Sequence, residues 1–329
     1  MELRRFFMGL MAAMPILAGC SKEHIQPDDT YAKKGIAAVV NSNFSLSLFK
    51  YALVATTYSD TLSQPGPYTL LAPSNDAFKA MGFSSGAAVI RVIDSMRVIV
   101  PYHILRGTIR LDSLPLAFNQ PLGAINGQLV YVTHWINSRD TAVVVNGIRV
   151  STRDKAATNG LVNVTDGVLS PYTYTNVQMA VSGDPSLSLF NAAIIRSGLA
   201  ADYQSGGPYT VFAPANTAFN AIGIQTTDSI YKMDPVYLQA LVKAHVTAGR
   251  SFVYDYILKA DIPTNSYTEH MLSGINTTIT LVADPLQPGR FSDINIQNEN
   301  AGTAKASLLG KNVLAGNGVV HSISRILTQ

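Results

Sequence analysis

Residues 82–86, Gly-Phe-Ser-Ser-Gly, carry the Gly-x-Ser-x-Gly spacing in which a serine can serve as an acyl-transfer nucleophile. That chemistry needs Ser84 on a sharp strand-to-helix turn, with a histidine and an acid supplied later in the chain. Here the segment joins two predicted helices, and its counterpart in a second copy of the stretch, Gly-Ile-Gln-Thr-Thr at 223–227, has no serine. Ser84 is therefore not read as a nucleophile. His103 and His245 each follow an apolar helical face, and neither has a His, Cys or carboxylate three or four residues on, so the spacing of a metal site is missing. Each reads instead as a buried imidazole hydrogen-bonded across a junction of helix and sheet. His24, His134, His270 and His321 show no partner pattern. No catalytic residue, metal or cofactor is expected, and the chain is not read as an enzyme.

The elements that must position these residues include a stretch that occurs twice. Residues 67–78, Pro-Tyr-Thr-Leu-Leu-Ala-Pro-Ser-Asn-Asp-Ala-Phe, return at 208–219 as Pro-Tyr-Thr-Val-Phe-Ala-Pro-Ala-Asn-Thr-Ala-Phe. Tyr68 to Leu71 is β-prone, and Pro73, like Pro214, has no N–H with which to continue a ladder. A helix is expected from about Asp76 to Met81, stopped by Gly82. Ser74 could cap it in the first copy but Ala215 cannot in the second, so Asn75 and Asn216 are the expected caps. Phe78 and Phe219 fall one turn in, placed to pack onto the sheet. Neither copy gathers titratable groups, so the motif reads as structural.

The duplication extends well beyond this motif. Residues 45–83 align with 186–224 without a gap, and 17 of the 39 positions are identical. His103 pairs with His245 and Asn159-Gly160 with Asn317-Gly318, so the offset grows from 142 to 158 and the second copy holds about 16 extra residues in its back half. A period this long indicates two globular domains, not a solenoid. The boundary falls near residues 170–176. In the first copy, residues 36–54 read as two short helices broken at Asn41 to Asn43, and residues 87–105 as another helix with Val89, Val92, Ile93, Met96 and Val100 on one face. Beyond His103 come β-branched runs punctuated by Asn-Gly. Helices in front and strands behind make each domain α+β.

Three ordered motifs thus appear twice: Gly-Pro-Tyr-Thr running into Ala-Pro-x-Asn-x-Ala-Phe, a later histidine before a glycine turn, and a closing Asn-Gly-hydrophobic stretch. Together they resemble fasciclin-like domains, at about residues 33–171 and 174–329. The resemblance implies a β-sandwich or wedge of about seven strands with helices packed along its edge. It also implies a secreted or surface-attached protein of adhesion or matrix interaction, with partners met partly near the Tyr-His helix. Only Tyr102-His103 matches that pair in full, because the second copy has Ala244-His245.

Composition and the N-terminus bound the remaining possibilities. Charged residues are 14% of the chain, the formal net charge is +3, and the basic residues are scattered, which gives no footprint for nucleic acid. Arg4 and Arg5 precede an apolar run from Phe6 to Leu17 that is too short to span a bilayer. Leu17-Ala18-Gly19-Cys20 follows, and the single cysteine of the chain resembles the lipidation site of bacterial lipoproteins. Residues 1–19 are thus expected to be a signal peptide and 20–32 a lipidated Cys20 with a polar tether. Ser21 fits delivery to the outer membrane, on its periplasmic or surface face. Among the aromatics, Trp135 alternates with Leu129 and Tyr131, and Phe252, Tyr254 and Tyr256 alternate as strand residues would. Core packing is one reading of these rings and an interaction patch the other. The favoured function is non-catalytic adhesion or interaction with an unknown protein, matrix or glycan partner. The alternative is a glycan-binding accessory lipoprotein of a nutrient-uptake system, with Trp135 or the Tyr254 region as its platform.

Overall fold

A computed structural model describes residues 34–137, 141–299 and 304–327. The leader, Cys20 and the tether expected over residues 1–32 lie outside the described residues. In the first domain α1 (Ile36–Ser42), α2 (Ser47–Ala55) and α3 (Tyr58–Thr61) precede β1 (Tyr68–Pro73), and α4 (Asn75–Ala80), α5 (Gly86–Arg91) and α6 (Ile93–Tyr102) follow it. Six strands complete the domain: β2 (Ile104–Arg106), β3 (Ala117–Gly123), β4 (Leu129–Ile136), β5 (Thr141–Val145), β6 (Ile148–Ala157) and β7 (Gly160–Thr165). The single helix expected over 87–105 is in fact two. Val92, at φ −109° and ψ 38°, leaves helical geometry between α5 and α6, while the apolar spacing runs on across the break.

The second domain repeats this order. Helices α7 (Val177–Ser182), α8 (Ser188–Arg196) and α9 (Ala200–Ser205) lead to β8 (Tyr209–Pro214). Then come α10 (Asn216–Asn220), α11 (Thr227–Tyr231), α12 (Pro235–Lys243) and β9 (Val246–Ala248). Next is α13 (Val253–Lys259), where the first domain has only the one-turn 3-10 helix Leu111–Ser113. Strands β10 (Ser266–His270), β11 (Asn276–Ala283), β12 (Phe291–Asn298), β13 (Ala306–Ala315) and β14 (Gly318–Ile323) close the domain. Phe252, Tyr254 and Tyr256 therefore do not belong to a strand. Five residues of a helix and its cap can show the same alternation of aromatic and other residues as a strand, and here the helix forms.

Each domain is built on one seven-stranded sheet, ordered β2-β1-β7-β6-β5-β4-β3 in the first and β9-β8-β14-β13-β12-β11-β10 in the second. The β1–β7 and β8–β14 pairs are parallel and their neighbours antiparallel. Register shifts in β3 and β6 bend the first sheet, and its ends approach through a bridge between Leu105 and Ala124. Thr247 and Met271 make the equivalent bridge in the second. Strand β1 is consequently buried on both faces. Leu70 and Ala72 pack with Phe49 and Phe78 under the helices, while Leu71 joins Val132 and Val145 inside the bent sheet. Phe219 repeats the role of Phe78 in the second domain, fully buried.

The duplicated motif works differently from the expectation at one atom. Pro73 does end β1, with one further ladder bond beyond it, from Ser74 N to Thr165 O at 3.0 Å. The cap of α4 is Ser74, whose Oγ accepts from Ala77 N at 3.1 Å, and at the equivalent Ala215 no side chain caps α10. Asn75 instead turns to the preceding helix. Its Oδ1 accepts from Leu48 N at 2.9 Å in the first turn of α2, and its Nδ2 donates to Phe44 O at 2.7 Å. Asn216 does the same with Leu189 N and Pro185 O, both at 3.0 Å. The asparagine is duplicated because it ties two helices together across the top of the sheet. Asn159 adds a second tie, accepting from Ile36 N and donating to Leu62 O and Gln64 O, each at 2.8 Å, and Asn317 repeats it with Val177, Tyr203 and Gly206.

Asn75→Ala leaves the Leu48 N–H and the Phe44 carbonyl unpaired, and should lower the unfolding free energy by about 2 kcal/mol. Ser74→Ala loses one cap and should cost about 1 kcal/mol. Urea denaturation of both variants checks the order; a larger loss for Ser74→Ala would reverse these assignments.

Candidate functional site

The equivalent histidines of the two copies, His103 and His245, are wholly inside, at 0% exposure. His103 Nδ1 lies 2.9 Å from Ile99 O, one turn back on α6, and its Nε2 accepts from Leu169 N at 2.9 Å. His245 copies this with Leu241 O at 2.8 Å and Leu327 N at 2.9 Å. Accepting at Nε2 and donating at Nδ1 requires the neutral ring. Burial enforces it, pushing each imidazole down to about 4. The pair ties the end of a helix to the segment after the last strand, as the sequence reading expects. His321, also pushed down to about 4 by burial, accepts from Asn312 N at Nδ1 and donates to Ser251 O from Nε2.

The interaction role inferred for Tyr102 and His103 needs correction on the same ground. Tyr102 is 0% exposed, so a partner cannot touch it. Its hydroxyl donates to Leu129 O and accepts from Asn146 Nδ2, both at 2.8 Å, which pins α6 to β4 and to the turn after β5. Burial raises its pKa, and the hydrogen bond from Asn146 offsets only part of that rise. Ala244 takes the same place in the second domain, also buried. Ser84 is exposed on a connection between α4 and α5, not on a strand-to-helix turn. Among the described residues no group of three His, Cys, Asp or Glu converges as metal ligands would.

The densest polar chemistry lies where the domains meet, and α13 builds it. Asp255 is 0% exposed. Its Oδ2 accepts from Phe252 N at 2.8 Å and from Asn119 Nδ2 at 2.9 Å, and its Oδ1 accepts from Thr133 Oγ at 2.8 Å. Asn119 and Thr133 belong to the first domain, so the carboxylate is shared across the boundary. Asn119 Nδ2 also donates to Arg250 O at 2.7 Å. It reaches there because its backbone takes φ 54° at the irregularity in β3. The Arg250 guanidinium carbon sits 3.6 Å from the centre of the Tyr131 ring, while Nη2 donates to Gly316 O at 2.9 Å. Asn137 Nδ2 then caps the far end of α13 at Leu258 O, 2.9 Å away.

Apolar contacts close the same boundary. Tyr131 of the first domain packs with Phe252, Leu314 and Val319 of the second, and Ala142 and Val144 pack with Leu258. Gly147, in the Asn-Gly turn after β5, has φ 77°, and a Cβ there would lie 2.7 Å from Phe252 Cβ. Trp135 is half-buried at this boundary, its ring 4.7 Å from Phe118 and tilted by 40°. Tyr254 packs beside it, also half-buried. No sequence signal pointed to Asp255, Asn119 or Arg250, which lie far apart in the chain. The one available clue was that the second copy carries extra residues just where α13 stands.

Two helix-first, strand-last domains, joined through a buried polar contact and with their histidines locked neutral, define a tandem scaffold. A profile of the fasciclin domain matches residues 44–171 and 185–329, and the chain belongs to the fasciclin domain family. Transforming growth factor-beta-induced protein ig-h3 of Sus scrofa is 28% identical over 264 residues, which are 80% of this chain and 35% of that protein. The chain thus spans about a third of that relative. Cell surface glycolipoprotein MPB83 of Mycobacterium bovis is 37% identical over 81 residues, 23% of this chain and 36% of that protein. A solved FAS1 domain pair from the insect cell adhesion molecule fasciclin I covers 87% of this chain and 97% of its own, at 18% identity and a TM-score of 0.42. Among the described residues no helix is long and apolar enough to cross a membrane.

Two outcomes follow from these buried groups. The three imidazoles have folded pKa values near 4, below the unfolded value of 6.5, so the stability they contribute is complete above pH 6.5 and is lost as the pH falls toward 4. Each contributes up to about 3 kcal/mol of that loss. Burial raises the Asp255 carboxyl, which acts in the opposite sense. Denaturant melts from pH 7 to 4.5 should therefore lose stability less steeply in His245→Gln than in the parent, and an unchanged slope would contradict the neutral-ring assignment. Asp255→Ala strands Phe252 N–H and the donors of Asn119 and Thr133, and should cost about 3 kcal/mol. Calorimetry should show one transition in the parent and two in Asp255→Ala, since the domains then unfold separately.

Proposed function

We propose that the chain is a lipid-anchored protein of a bacterial cell envelope that acts without catalysis, in adhesion or in interaction with a protein or matrix partner. The observation that carries this reading is an exposed apolar pair repeated in both domains. Val54 on α2 and Ile90 on α5 are 55% and 47% exposed, and their counterparts at an offset of 141, Ile195 on α8 and Tyr231 on α11, are 45% and 44% exposed. In each domain the two helices pack against each other, so the pair stands on adjoining helices. Water-facing apolar groups kept at equivalent positions in two diverged copies suit a surface that meets a partner. The anchor rests on Leu17-Ala18-Gly19-Cys20. It gains support from a relative whose name describes a cell surface glycolipoprotein. Cys20 would hold the protein to the outer membrane, with residues 21–32 as the tether.

A second reading, carbohydrate capture as an accessory to nutrient uptake, is favoured by Tyr254, which lines a cleft between the domains. Trp135 suits it less well, because one side of its ring is already covered by Phe118.

Beads coated with the protein should aggregate or attach to matrix-coated surfaces, and the Val54→Asp, Ile195→Asp double variant should reduce attachment at least tenfold with its fold intact by circular dichroism. Attachment equal to the parent would remove the basis for the adhesion reading. For the anchor, Cys20→Ser should move the protein from the membrane fraction to the soluble one, and an unchanged fractionation would refute lipidation.

A further inference from the structure

The two copies diverge in a pattern that points to one place. At Leu105 and Thr247 the offset is 142, at the bridge partners Ala124 and Met271 it is 147, and at Asn159 and Asn317 it is 158. The extra residues thus enter as the α13 segment and as longer connections after β11 and β12. Two of these three additions, α13 and the connection after β11 at residues 284–290, line a single cleft of about 480 Å3 whose other side comes from the first domain. That volume lies within the roughly 300–1,000 Å3 usual for small-molecule sites, which occur preferentially at domain interfaces.

We propose that this cleft is a preformed site for a short neutral oligosaccharide. The inference rests on the carbohydrate-capture reading and gives it a location and a ligand class. Tyr254 and Phe291 supply aromatic rings, and Gln287, Arg290, Arg149 and Asp166 supply planar polar groups around them. A sugar ring presents just these two needs, an apolar C–H face and a rim of hydroxyls that both donate and accept. A guanidinium can donate to two neighbouring hydroxyls, and a carboxylate can accept from two. The Gln287, Arg290 and Asp166 side chains make no hydrogen bond to another described residue, so they are available to a ligand.

Charge selects among ligands. Among the described lining residues Arg149 and Arg290 share the cleft with Asp166 and Asp284, so two positive groups accompany two negative ones and this lining does not favour a polyanion. A lipid tail would need an unbroken apolar lining. The site is also held in shape before a ligand arrives. Asp284 Oδ1 accepts from Leu286 N at 2.8 Å and Gln287 N at 3.2 Å, which turns the outer wall. The floor is α13, fixed to the first domain through Asp255. A rigid floor and wall reduce the ordering cost of binding.

The test is a printed array of cello-, xylo-, manno- and malto-oligosaccharides together with oligogalacturonates, followed by calorimetric titration of the hits with the purified two-domain protein. Saturable binding to a neutral series is expected, weakened at least tenfold in Arg290→Ala and in Gln287→Ala. Both residues are exposed, so circular dichroism should match the parent. Tyr254→Ala should weaken binding by a similar factor. If the parent binds a neutral sugar and the Arg290 and Gln287 variants bind it equally well, the cleft assignment fails while carbohydrate capture survives. Binding to no saccharide overturns both, and binding confined to oligogalacturonates overturns the neutral ligand class.

Discussion

A carboxylate buried between two domains is the constraint on which the arrangement of this molecule depends. Removing an ionised group from water costs several kcal/mol unless its oxygens are fully engaged. Asp255 meets that condition only when Asn119 and Thr133 of the first domain and Phe252 N of the second are all in place. A hydrophobic contact tolerates sliding, whereas this one has a single satisfied geometry. Arg250 over Tyr131 and Asn137 at the end of α13 then fall into register around it. The cleft beside α13 exists because that register is fixed.

Within each domain the same economy of polar groups recurs at smaller scale. Helices and sheet approach each other along surfaces rich in backbone N–H and C=O groups that cannot be left dry. Asn75, Asn159 and His103 each satisfy such groups from a distant part of the chain, and Asn216, Asn317 and His245 repeat every one of these bonds. The repeated motifs are therefore joints between elements. Their chemistry is spent on the interior, which leaves the exposed faces to carry function.

Much of this organisation was legible in the chain. The offset between copies located both domains, and the order of helices before strands followed from periodicity. The buried, hydrogen-bonded histidines followed from apolar neighbours and missing ligand spacing, and their neutral state from the structure alone. The failures share a cause. Asn75 was expected to cap its own helix, but its partners lie 27 and 31 residues back. Val92 breaks a helix whose apolar spacing continues, because φ and ψ at one residue leave no trace in a pattern of side chains. The family resemblance implies a contact role for Tyr102, yet exposure depends on what folds over a side chain, and β4 and the Asn146 turn cover this one.

Local physics suffices for what the sequence determined alone: two copies of one α+β domain, the strand stops, the glycine turns and the apolar faces. Each depends on neighbours within a few residues or on a repeat visible by alignment. The domain junction, the Asp255 contact and the cleft were decided only in the tertiary structure. They join residues more than a hundred positions apart, such as Thr133 and Asp255, and no periodicity links their places in the chain. A buried charge selects its partners by geometry in space, and that geometry exists only once both domains have folded.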